Sequence, residues 1–117
     1  MPQHIPAPTT IPVPGGKIID EYVGRVNSGT EVVSVARMTA PGGWTEPAQT
    51  PTFDEVTLVL RGTVRVEHDG GALDVRAGEA VLIRAGERIR YSTPDPNGAD
   101  YVAICVPAFS PEEAGRE

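Results

Sequence analysis

A chain of 117 residues with a net charge of −6 is the size of one domain and long enough to bury a core of its own. Lys and Arg never cluster beyond two, one cysteine stands alone, and no long apolar run occurs. These features exclude a nucleic-acid surface, an intramolecular disulfide framework and a membrane helix. With 13 glycines and 12 prolines, the composition fits an all-β chain rich in turns.

Residues 1–16 form a Pro-rich arm holding Pro2, Pro6, Pro8, Pro12 and Pro14, where fixed φ and missing N–H groups forbid a helix. Its start, MPQHIPAPTT, lacks a basic region followed by an apolar run, so no signal peptide is expected. The arm reads as a disordered tail or as a segment lying on a neighbouring subunit, with Ile5, Ile11 and Val13 to bury. His4 is expected in solvent.

GKIIDEYVGRVN starts as a strand or a single helical turn. EVVSVARM (31–38) is a strand by its β-branched content. The turn-rich TAPGGWTEPAQTPT leads into a strong strand, FDEVTLVL (53–60), which Arg61 and Gly62 are expected to break. TVRVEH (63–68) alternates, with Val64 and Val66 on one face, and turns at Asp69–Gly71 into ALDV (72–75). AVLIR (80–84), RIRYS (88–92) and YVAICV (101–106) complete the strands. The acidic tail, 110–117, frays or forms a short helix capped by Ser110 with Pro111 first. Many short strands with Gly-marked turns predict an antiparallel sandwich or barrel over 17–109.

Two stretches carry a family resemblance. Gly43 is followed after five residues by Gln49, then by Pro51, Glu55 and, six residues on, Gly62. Gly78 is followed after five residues by Arg84, then Gly86 and Ile89. Both spacings resemble the paired motifs of the cupin family, with a hairpin between them. The usual histidines are replaced by Gln49, Pro51 and Ile89, and a usual proline by Arg84. The resemblance covers about residues 31–107 and is nearest the histidine-poor, ethanolamine-utilisation-like cupins. It implies a single-domain cupin jelly-roll barrel of short antiparallel strands.

Of the metal ligands that the resemblance implies, only Glu55 survives. The chain has two histidines, His4 and His68, and the second falls at a hairpin tip. No cofactor is therefore expected. The alternative is a weakly bound divalent metal on Glu46, Gln49 and Glu55, whose oxygens suit a hard ion. If Glu55 points into the barrel as the family's glutamate does, Thr57 shares its face, and Ile89 and Tyr91 point in as well. Glu55 and Tyr91 are the catalytic candidates. Trp44, Glu46, Gln49, Thr57, Arg84 and Ile89 are the substrate-binding candidates, with Arg84 a clamp for an anion or a surface ion pair. Arg88 and Arg90 read as a solvated face, and Cys105 as a packed apolar residue.

These readings give a small-molecule-binding cupin, acting as a metal-independent isomerase, epimerase, cyclase or lyase that moves a proton with Glu55. A weak-metal enzyme and a non-catalytic binding protein are the alternatives. The other face of 53–60 presents Val56, Leu58 and Leu60, which predicts a homodimer with the arm of a second subunit as cover. A cytoplasmic location is expected, with no nucleic-acid or membrane partner.

Overall fold

The computed structural model describes residues 1–117. Nine strands run in chain order: β1 (Thr9–Pro12), β2 (Ile18–Val23), β3 (Ser34–Ala40), β4 (Trp44–Thr45), β5 (Asp54–His68), β6 (Gly71–Arg76), β7 (Ala80–Ile83), β8 (Ile89–Thr93) and β9 (Ala99–Val106). One short helix follows, α1 (Pro111–Ala114). All pairings between strands are antiparallel, and the sheet curls into the half-barrel of a cupin jelly roll.

One layer runs β1–β2–β3–β9–β5–β7, and the other β4–β8–β5–β6. β5 belongs to both because it is 15 residues long. The expected break at Arg61–Gly62 is instead a bend within one strand. The register with β9 shifts between Val59 and Arg61, and Gly62 takes a φ of 78°. The extra residue changes the parity of the inward face. Glu55, Thr57 and Val59 are buried before it, and Val64 and Val66 after it.

The core under this bend contains Val59, Val64 and Val66 from β5, with Ile83, Ile89, Tyr91 and Tyr101 packed around them. Burying each valine contributes about 1.5–3 kcal/mol. A smaller cluster joins Phe53, Cys105 and Ala114, with Phe109 edge-on to Phe53 at 5.9 Å.

Both termini are tied to the barrel. Thr9–Pro12 pair with β2 of the same chain, and Ile11 turns toward the interior. At the other end Ser110 caps α1, accepting from the Glu113 N–H at 3.2 Å. The tail then runs beside residues 48–52. The Thr50 N–H donates to Gly115 at 3.0 Å, and the Glu117 N–H to Ala48 at 2.9 Å. The short-helix expectation for the tail thus describes it, and fraying does not.

No helix is long and apolar enough to cross a membrane. The outer face of the first layer carries an in-register row: Val35 opposite Ile104, Ile104 opposite Val56, and Val56 opposite Leu82. Beside it Leu58 and Leu60 are 39% and 48% exposed. The arm does not lie there within the chain, because β1 occupies the far edge against β2.

Candidate functional site

Alternation builds the site. On β2 and the residue before it, Lys17, Ile19 and Glu21 turn inward; on β9, so do Tyr101, Ala103 and Cys105. Ala36 and Ala103 sit opposite each other on neighbouring strands, and their small side chains leave space above the sheet. The result is an internal cavity of about 40 Å³, bounded by Glu55 and Thr57 of β5 and by Tyr91 of β8. Arg116 and Phe109 of the C-terminal segment and Ile11 of β1 close it.

Glu55 is 7% exposed and accepts from the Tyr91 hydroxyl at 2.5 Å and from the Cys105 thiol at 3.5 Å. Burial pushes its carboxyl above the usual carboxylate range, against the lowering effect of those two bonds and of Lys17. The Tyr91 phenol is pushed well above its ordinary value, first by burial and then by Glu55. Burial likewise raises the Cys105 thiol, which therefore stays a donor.

Glu21 shows what a structural carboxylate looks like in this barrel. It is buried as deeply, yet one oxygen accepts from the backbone N–H groups of Val26 and Asn27, each at 2.9 Å. That bond set fixes a turn. Both carboxylates border the cavity, but Glu55 has no backbone donor and no arginine and is held only by Tyr91 and Cys105.

A second charged group lies at the cavity wall. Lys17 Nζ is 3.9 Å from Glu46 Oε2, and Arg116 Nη2 is 3.9 Å from the same oxygen. Lys17 also sits over the Trp44 ring at 4.4 Å and the Tyr101 ring at 5.5 Å. Burial lowers the Lys17 amine below its ordinary value, with Glu46 opposing. Burial raises the Glu46 carboxyl, with Lys17 opposing. Both groups move toward their neutral forms because the loss of water outweighs pairing at this separation. The Tyr101 hydroxyl is buried without a hydrogen-bond partner.

The expected site residues divide. Glu55, Tyr91, Thr57, Glu46 and Gln49 all border the cavity. Trp44 borders an outer groove of about 290 Å³, which shares Lys17, Ile19, Glu46 and Arg116 with the cavity. Ile89 points inward as expected but is packed in the core and does not reach the cavity. Arg84 is exposed, 3.9 Å from Asp54, and lines neither the cavity nor the outer groove; it forms a surface ion pair. Arg88 and Arg90 pair with Glu117 and Glu67 on the outside, as a solvated face should.

Lys17, Arg116, Tyr101 and Cys105 are among the cavity residues that sequence reasoning missed, and each brings charge or a polar hydrogen to it. One signal was available: Lys17 is the only lysine in the chain, every other basic side chain being arginine.

The residues do not fit a tightly held metal ion. No three His, Cys, Asp or Glu side chains come together to hold one. His4 and His68 are exposed and outside the cavity. Glu46 already faces two cations, and the Gln49 oxygen accepts from Arg116 at 3.4 Å. A divalent ion there would meet Lys17 and Arg116 at close range.

The cupin domain pattern matches residues 36–105, more than half of the chain, and the chain belongs to the cupin family. Its sequence is 45% identical over 107 residues to Endoribonuclease YbeY of Myxococcus xanthus, covering 92% of this chain and 36% of that protein. The chain thus spans about a third of that curated relative. Its fold is similar to a putative ethanolamine utilization protein q of Salmonella typhimurium, with a TM-score of 0.62 and 22% identity over 80% of this chain and 71% of that one. It is also similar to a variant of oxalate decarboxylase from Bacillus subtilis, with a TM-score of 0.78 and 17% identity over 93% of this chain and 30% of that one.

Proposed function

We propose that this cupin takes a small molecule into its barrel and moves a proton on it, as an isomerase, epimerase, cyclase or lyase that needs no metal. Glu55 is the base and Tyr91 the acid or orienting group. The observation that carries this reading is the Glu55–Tyr91 bond at the cavity wall, made by a carboxyl that burial raises above the usual carboxylate range. A carboxylate whose proton affinity is raised accepts a carbon-bound proton more readily than an ordinary one does. Thr57, Glu46 and Gln49 bind the ligand, and Trp44 walls its approach from the outer groove.

The test is exchange of carbon-bound hydrogen from heavy water into a panel of small hydroxy and oxo compounds, followed by NMR. Exchange on at least one is expected, falling about 10²–10⁴-fold in Glu55→Gln. Equal rates in the two proteins would remove Glu55 from the chemistry. The ribonuclease activity named for the Myxococcus xanthus relative belongs to a protein of which this chain matches 36%. A chain of net charge −6 offers an RNA backbone little attraction, so RNA cleavage is not the activity proposed.

We also infer that a second copy of the chain covers the Val35–Ile104–Val56–Leu82 row and that the protein works as a cytoplasmic homodimer. Exposed apolar strips of this kind mark interfaces. Light scattering at micromolar concentration is expected to give the mass of two chains. Leu58→Lys is expected to give the mass of one, with the circular dichroism of the fold kept. A wild-type mass of one chain would end the dimer reading.

A further inference from the structure

Lys17 has no part in the chemistry proposed above, and its setting is unusual. It is the only lysine of the chain, and it is buried, at 8% exposure. Most of the arginines, which are the chain's other long cations, pair with carboxylates on the surface. At position 17 an amine is present instead, and it can do what a guanidinium cannot: it can lose its proton and act as a nucleophile. The chain delivers it deliberately. Gly15 and Gly16, at φ 85° and 81°, turn the segment so that Lys17 enters beneath Trp44.

The amine makes no hydrogen bond, and the carboxylate it pairs with, Glu46, stands at 3.9 Å. A buried lysine kept only to neutralise Glu46 would close that distance. Burial also lowers the amine, leaving more of it unprotonated. The adjacent Tyr101 hydroxyl is a buried donor with nothing to bond. Lys17 and Tyr101 border the same cavity as Glu55.

Proton removal from carbon needs an electron sink beside that carbon, and the donor set here does not suit a metal. We propose that Lys17 forms an imine with a small aldehyde or ketone in the cavity, and that the resulting iminium is the sink for the proton Glu55 removes. This rests on the proton-transfer reading of Glu55 and adds the substrate class to it.

The step balances without another reagent. The Nζ lone pair attacks the carbonyl carbon while the carbonyl π pair moves to oxygen, which takes a proton, and the nitrogen then loses one. The hydroxyl of this carbinolamine leaves as water with a proton from Glu46, and the nitrogen lone pair closes the C=N bond. The iminium keeps a positive charge where the Trp44 and Tyr101 faces favour a cation. Tyr101 donates to the departing or neighbouring oxygen. A cavity of about 40 Å³ has room for roughly one to three waters, so the carbonyl compound has two or three carbons, any larger body lying in the outer groove.

Reductive trapping tests this on the intact protein. Acetaldehyde, glycolaldehyde and hydroxyacetone are each added with cyanoborohydride, and the adducts are located by peptide mass spectrometry. Each adduct adds the mass of the carbonyl compound less one oxygen atom. The exposed Met1 amine serves as the reference for unassisted reaction. Lys17 is expected to be trapped faster than Met1 by at least one of the three. Lys17 left unlabelled, or labelled no faster than Met1, would overturn the proposal without reference to any variant.

Glu55→Gln separates the two readings. Trapping at Lys17 is expected to persist while exchange of the hydrogen next to the imine carbon is lost. Trapping together with undiminished exchange would remove Glu55 and leave the imine standing. Lys17→Met, checked by circular dichroism, is expected to show only the Met1 adduct.

Discussion

Glu55→Gln is expected to make the protein more stable at pH 8 while removing the proton transfer proposed for Glu55, and to leave stability at pH 4 nearly unchanged. Burial raises the folded Glu55 carboxyl above its unfolded value. Across the window from the unfolded carboxylate pKa up to that raised value, the folded state holds the proton more tightly than the unfolded state. Stability therefore falls as pH rises through the window and stays lower above it. Below it, Glu55 is protonated in both states and contributes nothing to the pH dependence. Gln has nearly the same shape, still accepts from Tyr91, and never ionises.

The difference between wild type and variant isolates this group, although Glu46 and Lys17 also titrate with shifted values. A gain of even ~1 kcal/mol would appear as roughly 4 °C in the midpoint of thermal unfolding. Melting curves of both proteins at the two pH values decide it. A variant less stable at pH 8 than wild type would mean that the carboxylate is structural after all.

Gly62→Ala is expected to cost about 2–5 kcal/mol, a large share of the ~5–15 kcal/mol that holds a domain together. Two causes add. A residue with a Cβ at a φ of 78° is strained by about 1–2 kcal/mol. The Cβ would also stand 2.1 Å from the Gly98 carbonyl oxygen, where backbone cannot yield cheaply. Such overpacking costs about 1–3 kcal/mol. Gly78→Ala is the comparison, because its φ of 85° carries the same strain but nothing lies within 4 Å of the added atom. It is expected to lose only the first contribution. Urea unfolding of the two variants measures the difference, and equal losses would show that the close approach of β5 and the loop before β9 is not what demands glycine. Since this bend changes the inward parity of β5, a variant that survives should also disturb Val64 and Val66.

Local chemistry made the strands readable. The Asp69–Gly71 turn, the alternation of Val64 and Val66, and the β-branched run of β9 each declare themselves within a few residues. The same alternation, once Glu55 was taken as inward, also turned Thr57 inward as the structure has it, and the inward Tyr91 hydroxyl donates to Glu55. Period-two patterns carry that information because a strand side chain has only two directions available.

What the pattern cannot carry is distance across the chain. A glycine at position 62 reads as a turn in sequence, yet here it bends a strand that continues into the second layer, because Gly98 passes close beside it. Arg84 occupies a motif position, but the strand end it sits on points to solvent. Ile89 points inward yet fills the core instead of the cavity. Lys17, Glu46, Glu55, Tyr101 and Arg116 come from five separate stretches and meet only because β2, β9 and β5 lie in one layer and the tail folds back over 48–52. The sequence alone determined the strands, their inward faces and the carboxylate at the centre, since these follow from neighbours along the chain. Only the tertiary structure decided which charges share the cavity with that carboxylate, since that depends on contacts between residues far apart in sequence.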